Sequence, residues 1–309
     1  MIEQLFTISY IAGYLDGDGC FYLGKTIQKP KEITVYEYSI QVLSIKREVL
    51  DFFVSKFGGY VRIMKQRHLH KIPYQWTLKG KKAAKLAFLV FEHLIDKKYA
   101  CELFIKYSDT IFQNNFRIIP IDIFMERNQI ITKIREDRHM NNFVTKEAIE
   151  ALKLRKKTID PVPKDYAYLA GLIDSEGCFR IKHWKPKNRP NEVYNIHLEI
   201  GNTKFPIMPW LMERFGGSIT YVPEKTRKRS SAIWSLSSKS LFEILPKIHP
   251  YLRNKKEVCE KLIEFQNTIL PNGGDRHSEL FHALFTKNRA LRDKIISEVH
   301  QLNLKGSKL

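Results

Sequence analysis

The chain contains the stretch Tyr10-Ile-Ala-Gly-Tyr-Leu-Asp-Gly-Asp-Gly-Cys-Phe21, which returns in similar form as Tyr168-Leu-Ala-Gly-Leu-Ile-Asp-Ser-Glu-Gly-Cys-Phe179. The two stretches are offset by 158 residues, and other separated features recur at the same offset. They are Phe57-Gly58-Gly59 with Phe215-Gly216-Gly217, Trp76 with Trp234, Lys97-Lys98 with Lys255-Lys256, and Cys101 with Cys259. One offset shared along the chain indicates two copies of a unit of about a hundred residues.

Hydrophobic periodicity predicts the same order of elements in each copy: a helix, two strands, a helix, two strands and two helices. In the first copy we expect helices over residues 7–17, 46–57, 80–95 and 98–113, and strands over 20–29, 34–44, 60–66 and 74–78. The predicted fold class is α+β, with two pseudo-symmetric units whose four-stranded antiparallel sheets each carry helices on one face. We place the units at residues 1–115 and 164–309, joined by a charge-rich linker over 116–163, with a further helix near 276–303.

The composition indicates a folded protein with a polyanionic partner. Of 309 residues, 52 are Lys or Arg and 33 are Asp or Glu, which gives a net charge of +19 spread along the chain. Such a charge is self-repelling unless an anion faces it. Nucleic acid fits better than a membrane, because no apolar run approaches the roughly 18 residues that a spanning helix needs. The four cysteines form no Cys-x-x-Cys pair, so we predict neither a zinc site nor a disulfide framework, and we expect a reduced compartment.

The repeated stretch also predicts where two helices meet. Ala12-Gly13 and Ala170-Gly171 are small residues among bulky ones, which allows two helix backbones to approach closely at the centre of the molecule. Glycines around Asp18 and Glu176 end each helix, so we expect the two carboxylates to be neighbours. Paired carboxylates in a basic groove attract hard divalent cations such as Mg²⁺, which can activate a water molecule and stabilise a leaving oxygen.

The repeated stretch resembles the LAGLIDADG signature, and the order of elements in each unit is similar to that family's. The resemblance is to the monomeric, two-motif LAGLIDADG homing endonucleases, and it covers the chain except the linker and the tail. It implies metal-dependent cleavage of both strands of a long, asymmetric double-stranded DNA target, with short 3′ overhangs and no protein partner. The implied cofactor is Mg²⁺; Mn²⁺ is expected to substitute, and Ca²⁺ to bind without supporting cleavage.

The resemblance assigns the metal site by position in the motif. The second acidic position falls on Asp18 and Glu176, which are therefore expected to be both metal ligands and catalytic residues. The backbone at Gly17 and Ser175 is expected to contribute to the same metal site.

Lysines that begin the penultimate helix of each unit are the other catalytic candidates. By resemblance Lys97 and Lys255 neutralise charge at the reacting phosphate or orient water, and Lys98 and Lys256 form the competing register.

Two further positions are interpreted differently. Asp16 and Asp174, at the first acidic position, are predicted to be structural and to bond backbone donors at the helix junction or between the copies. Members of the family often carry a polar residue, frequently Gln, near the end of the second strand, but the aligned positions here are Val42 and Ile200. Polar neighbours leave that role open; they are Gln41, Ser44, Glu199 and Asn202.

Alternation along the strands divides each sheet into a core face and an outward face. Trp76 and Trp234 fall on the core face, so we predict that they are buried and do not stack on bases. The outward polar residues are predicted to read base edges in the major groove, which admits a two-stranded ribbon. In the first unit they are Tyr22, Thr26, Gln28, Glu37, Ser39, Gln41, Arg62, Gln66, Gln75 and Thr77, and in the second Arg180, Lys182, Asn195, His197, Glu199, Thr220 and Ser235. Two basic loops, 65–71 and 225–229, are predicted to contact phosphates, the latter through Arg227, Lys228 and Arg229.

Another activity stays open: a maturase that binds host intron RNA, alone or as a second function of this scaffold. The presence of both acidic residues and both lysines favours the nuclease. A transcription regulator on the same scaffold is expected to lose the acids, so it ranks last. The N-terminus shows no targeting signal, and we expect the protein in the compartment of its encoding genome, an organelle such as a mitochondrion or chloroplast, or a bacterial cytoplasm.

Overall fold

A computed structural model describes residues 2–28, 33–65, 72–112, 119–137, 144–185, 187, 193–224, 230–268 and 279–305. The first unit contains α1 (Ile2–Asp18), β1 (Gly19–Gln28), β2 (Ile33–Ser44), α2 (Arg47–Phe57), β3 (Tyr60–Ile63), β4 (Tyr74–Lys79), α3 (Gly80–Phe91) and α4 (Lys98–Phe112). Two helices follow, α5 (Ile121–Asp137) and α6 (Lys146–Lys153). The second unit contains α7 (Pro163–Glu176), β5 (Gly177–Trp184), β6 (Val193–Asn202), α8 (Ile207–Phe215), β7 (Ser218–Val222), β8 (Ser231–Ser237), α9 (Ser238–Ile248), α10 (Lys256–Asn267) and α11 (Glu279–Lys305).

The strands form two four-stranded antiparallel sheets, ordered β1-β2-β4-β3 and β5-β6-β8-β7, which confirms the predicted α+β fold class. Helices α2 and α3 pack on the first sheet, and α8 and α9 pack on the second. Between helices and sheets lie Trp76 and Trp234, both fully buried as predicted. Their ring N–H groups donate to the carbonyls of Gly58 and Gly216, at 2.9 and 2.7 Å. No helix in the described ranges has the length and apolar character to cross a membrane.

The two motif helices, α1 and α7, pack against each other along their backbones. A Cβ atom added to Gly13 would lie closer than 3.0 Å to the backbone carbonyl of Tyr168, and one added to Gly171 would meet the carbonyl of Tyr10 in the same way. No side chain larger than hydrogen fits at either crossing point. The small residues of the repeated stretch therefore set the distance between the units.

The repeat extends further than the sequence predicted. Arg127 of α5 donates to the side chain and the carbonyl of Thr110, at 3.1 and 2.7 Å, and its guanidinium lies 5.3 Å from the ring centroid of Tyr36. Arg292 of α11 makes the same contacts with Thr268 and Tyr194. The two arginines are 165 residues apart, so a difference in loop length hides the relation at the offset of 158.

The segment predicted as a linker thus contains two packed helices. Helix α5 contacts α4 and β1 of the first unit, whereas α6 contacts β7 of the second. The first unit therefore includes α5, and the predicted boundary at residue 115 falls within it.

A buried ion pair also joins the units. Lys204, which follows β6, places its Nζ 3.9 Å from Oδ2 of Asp96, in the connection between α3 and α4. The Asp96 side chain is only 3% exposed, and its Oδ1 has no hydrogen-bond partner among the described residues. Burial raises the pKa of Asp96 to about 6, which the Lys204 ammonium offsets only in part. The equivalent position in the second unit is Asn254, which carries no charge.

We expect Gly171→Ala to lower the free energy of unfolding by about 3 kcal/mol or more, because the new methyl group collides with backbone atoms of Tyr10 and Tyr14. Gly24→Ala is the matched control, since the three atoms nearest to its Cβ all belong to the Tyr22 side chain, which can move. We expect the control to cost less than about 1 kcal/mol in urea denaturation. Equal losses in the two variants would contradict the close helix contact.

The raised pKa of Asp96 predicts a specific pH dependence. Between its ordinary value of 3.8 and about 6, the native state keeps a proton that the unfolded chain has released. The stabilising free energy that this retained proton adds to the native state is present at low pH and is lost as the pH rises through 6. Relative to the wild type, Asp96→Asn should therefore gain roughly 1–2 kcal/mol between about pH 4.5 and 7.5, measured by urea denaturation. Asp122→Asn, at an exposed carboxylate, is the control, and a similar gain there would refute the assignment.

Candidate active site

Asp18 and Glu176 are the last residues of α1 and α7. The helix ends touch: a Cβ atom on Gly17 would lie 3.1 Å from Cγ of Glu176 and would collide with the Ser175 side chain. The two carboxylates are therefore neighbours, as the sequence predicted. Because β1 and β5 begin at the next residue in each unit, both sheets start from this acidic pair.

Ionisation of both carboxyl groups of this pair is unfavourable in the folded protein. Asp18 and Glu176 both reach solvent, but the surrounding protein removes enough water to raise the pKa of each carboxyl. The charge of Asp18 raises the pKa of Glu176 further, while Lys97 and Lys255 lower both. A cation held between the carboxylates would relieve the repulsion that remains.

The donor set fits a hard divalent cation. Among the described residues no group of three or more His, Cys, Asp or Glu side chains could enclose a metal ion, as a structural zinc site requires. Two carboxylates suit Mg²⁺, which usually retains water ligands and takes the rest from substrate phosphate. The Gly17 carbonyl oxygen accepts a hydrogen bond from Lys97 Nζ at 2.8 Å. The second lone pair of that oxygen would be the one available to a metal ion. The Ser175 hydroxyl points back along α7 toward Leu172, and the metal roles of these two backbones stay predictions.

Each candidate lysine binds the end of the motif helix of its own unit. Lys97 Nζ donates to the carbonyls of Leu15 and Gly17, at 2.7 and 2.8 Å. Lys255 Nζ donates in the same way to Ile173 and Asp174. Burial lowers the pKa of both lysines, and neighbouring carboxylates, including Asp18, oppose this shift. The two ammonium groups therefore lie beside the acidic pair.

The competing lysine register does not reach this site in the first unit. Lys98 Nζ lies 3.2 Å from the Glu92 carboxylate and 4.7 Å from the ring centroid of Phe91. Lys256 is exposed on α10. The geometry favours Lys97 and Lys255.

Asp16 and Asp174 make the structural contacts that the sequence predicted. Asp16 accepts backbone N–H groups of Ile95 and Lys97, both at 2.8 Å. Asp174 accepts those of Arg253, Asn254 and Lys255, at 2.7 to 3.1 Å. Each aspartate also accepts a tyrosine hydroxyl from the other unit; the donors are Tyr168 and Tyr10, respectively.

Sequence reasoning missed two basic residues near the site, Lys46 and Lys204. Each lies two residues after the second strand of its unit and reaches into the other unit, to the loop that carries the candidate lysine. Lys46 Nζ donates to the carbonyl of Asn254, and Lys204 pairs with Asp96. The sequence contains a sign of this pair, because the two lysines are separated by the same 158 residues as the other repeated features.

The position expected to carry a water-positioning residue is apolar and faces the core in both units. Val42 and Ile200 are fully buried on the core side, so neither aligned position can present a polar group. Gln41 and Glu199 lie on the opposite face, next to Cys20 and Cys178, which follow the motif glycines.

The outward face of the first sheet carries a chain of hydrogen bonds. Arg62 donates to Gln75 Oε1 at 2.8 Å, Gln75 donates to Gln41 at 2.8 Å, and Gln41 donates to Ser39 at 2.9 Å. Ser39, Gln75 and Thr77 have the predicted orientation but are buried, not exposed, because they lie on central strands beneath longer neighbours. The Thr77 hydroxyl has no partner among the described residues.

Other predicted residues of that face are more accessible. Thr26 and Glu37 are exposed, Glu37 lies 3.6 Å from Lys79 Nζ, and Tyr22 is half-buried. Several predicted contacts lie outside the described residues: the Gln28 side chain, Gln66, Arg227, Lys228 and Arg229.

The second sheet replaces this network with ion pairs. Glu199 lies 3.1 Å from Lys182 and 3.4 Å from Arg180, and both cations are about half exposed. Ser235 bonds Ser218 at 3.0 Å. The remaining predicted residues of this face are Thr220, which is exposed, and Asn195 and His197, which are half-buried. Burial and the nearby Lys182 lower the pKa of His197.

Known proteins with similar sequences match part of the chain. Residues 169–269 match the model of the LAGLIDADG endonuclease family. A curated relative is the probable intron-encoded endonuclease aI3 of Dictyostelium citrinum, 27% identical over 97 residues. The match covers 31% of this chain and 39% of that protein.

Solved structures match over nearly the whole chain. I-SmaMI bound to an uncleaved DNA target in the presence of calcium ions has a TM-score of 0.64 and 16% identity, covering 94% of this chain and 97% of that one. The LAGLIDADG homing endonuclease I-GzeII in complex with its DNA target has a TM-score of 0.62 and 15% identity, covering 94% and 96%. Residues 169–269, which contain the second copy of the repeated stretch except its first residue, are thus similar to the LAGLIDADG endonuclease family, and the chain as a whole has the two-unit fold of these solved structures.

Proposed function

We propose that the chain is a site-specific DNA endonuclease that cleaves both strands of a long, asymmetric target by metal-dependent hydrolysis. One observation carries the proposal: Asp18 and Glu176 meet where both sheets begin, and a half-buried lysine of each unit lies beside them. The fold puts two equivalent sets of groups around one point. Such a pair suits two reacting phosphates, one on each strand of a duplex.

The residues divide the chemistry between them. Asp18 and Glu176 would hold the metal ion, whose role when bound is to activate water and stabilise the leaving oxygen. Lys97 and Lys255 each present an ammonium group fixed by two helix carbonyls, which can stabilise negative charge developing on a phosphate. Mg²⁺ is the proposed cofactor because the two carboxylates offer the oxygen donors that it prefers.

The partner follows from the outward faces of the two sheets. The chain carries a net charge of +19, and exposed Arg62, Arg180 and Lys182 lie on these faces. Where the first sheet has Gln41 in a hydrogen-bonded network that contains no carboxylate, the second has Glu199 between two cations. Because the two faces differ, the two DNA half-sites should differ as well. Both solved relatives named above are bound to DNA, which supports duplex DNA as the partner.

Asp18→Asn and Glu176→Gln test the assignment. The protein is incubated with a library of randomised duplex sites and Mg²⁺, Mn²⁺ or Ca²⁺, and the cut ends are sequenced. We expect cleavage with Mg²⁺ or Mn²⁺ and none with Ca²⁺. Each variant should cut at least about a hundredfold more slowly, because one charged ligand is lost, while binding of the same site is retained.

Asp51→Asn is the control, since it removes an exposed carboxylate on α2 and should leave cleavage unchanged. No cleavage by the wild type at any sequence would refute the nuclease. Tighter binding of structured intron RNA than of duplex DNA at matched salt would instead support the maturase.

Glu199→Gln gives a separate test of the interface. The variant introduces the residue type of the equivalent position in the first unit, Gln41, and removes the ion pairs of Arg180 and Lys182. We therefore expect a several-fold gain in DNA affinity at moderate salt. The slope of log affinity against log salt should steepen by about 0.9, as for one additional phosphate contact. Fluorescence anisotropy over a salt series measures both quantities. An unchanged slope would place Glu199 away from the DNA.

A further inference from the structure

Two buried tyrosines cross between the units at the motif helices. Tyr10 of α1 donates its hydroxyl to Asp174 Oδ2 at 2.8 Å, and Tyr168 of α7 donates to Asp16 Oδ2 at 2.6 Å. Both tyrosines are nearly inaccessible, with 2% and 3% exposure. Burial and the facing aspartate raise the pKa of each tyrosine well above its ordinary value, so the hydroxyl keeps its proton and acts as a donor.

Each aspartate holds the loop that carries the catalytic lysine of its own unit. Asp16 uses Oδ1 for the Lys97 N–H and shares Oδ2 between the Ile95 N–H and the Tyr168 hydroxyl. A carboxylate with both oxygens engaged has a fixed orientation. Tyr168 therefore acts on Lys97 through Asp16, across the boundary between the units.

We propose that Tyr168 is a positioning residue for Lys97, and Tyr10 for Lys255, so that each unit orients the catalytic lysine of the other. The role rests on the proposed nuclease function. It predicts that the two strands of a target depend on different tyrosines, because each lysine serves one reacting phosphate. The glycine contacts support it, since the backbone carbonyls of these same tyrosines lie against Gly171 and Gly13.

The two lysine loops differ in how many other contacts hold them to the opposite unit. The loop of the second unit has other anchors on the first unit: the Arg253 guanidinium stacks 3.5 Å from the ring centroid of Phe52, and the Asn254 carbonyl accepts Lys46. The loop of the first unit has the Lys204 contact at Asp96, at 3.9 Å. Loss of the Tyr168 hydroxyl should therefore have the larger effect.

Hydrogen exchange tests the contact without requiring catalysis. In full-length Tyr168→Phe we expect backbone amides of the 95–97 loop to exchange about tenfold faster, with those of the 253–255 loop unchanged. Tyr10→Phe should give the reverse pattern with a smaller change. Tyr107→Phe is the matched control, because this buried hydroxyl has no partner among the described residues, and neither loop should respond.

Cleavage with each strand labelled separately tests the consequence. Under single-turnover conditions Tyr168→Phe should slow one strand about tenfold and the other less than twofold, so nicked plasmid accumulates before linear product. Affinity for the target measured with Ca²⁺ should match that of the wild type.

Equal slowing of both strands, or exchange that rises equally in both loops, would show a general structural effect and overturn the proposal. Unchanged exchange and unchanged strand rates would overturn it as well. If the wild type cuts no DNA, the proposed nuclease function fails, and the exchange measurement still decides whether Tyr168 holds the Lys97 loop.

Discussion

The contact between α1 and α7 through Gly13 and Gly171 is the constraint on which the rest of the molecule depends. Each glycine lies against a backbone carbonyl of the other helix, so the helix axes are as close as two backbones permit. Only at this distance do the helix ends bring Asp18 beside Glu176, and only at this distance can Tyr10 and Tyr168 reach the opposite aspartates. The interface between the units and the candidate active site are therefore one structure.

Two pairs of acidic residues lie along that contact, one pair buried and the other exposed. The innermost aspartates, Asp16 and Asp174, are surrounded by N–H and hydroxyl donors, so their charge orders the two lysine loops. The outer acids, Asp18 and Glu176, lack such donors among the described contacts and face solvent, which leaves their oxygens free for an external cation. Acidic residues two positions apart in sequence thus have different surroundings, because a helix end exposes one and buries the other.

The two units share a frame but differ in their electrostatics. Asp96 of the first unit is a buried acid beside Lys97, whereas Asn254 at the equivalent place is neutral and contacts Tyr14. On the outward faces a hydrogen-bonded network without a carboxylate in one sheet corresponds to an ion-paired glutamate in the other. Two copies of one unit in a single chain are free to diverge, and this divergence is what an asymmetric DNA target would require.

The sequence by itself determined the repeat, the α+β class, the acidic pair, the buried tryptophans and the structural aspartates, because these follow from local spacing and side-chain size. It did not show that α5 belongs to the first unit, since a loop of different length shifts Arg127 and Arg292 out of the common offset. Nor did it show that Ser39, Gln75 and Thr77 are buried, because strand alternation gives the direction of a side chain and not what covers it. Only the tertiary structure decided which lysine register faces the acids and which tyrosine reaches which aspartate, since both depend on how two helices distant in sequence cross.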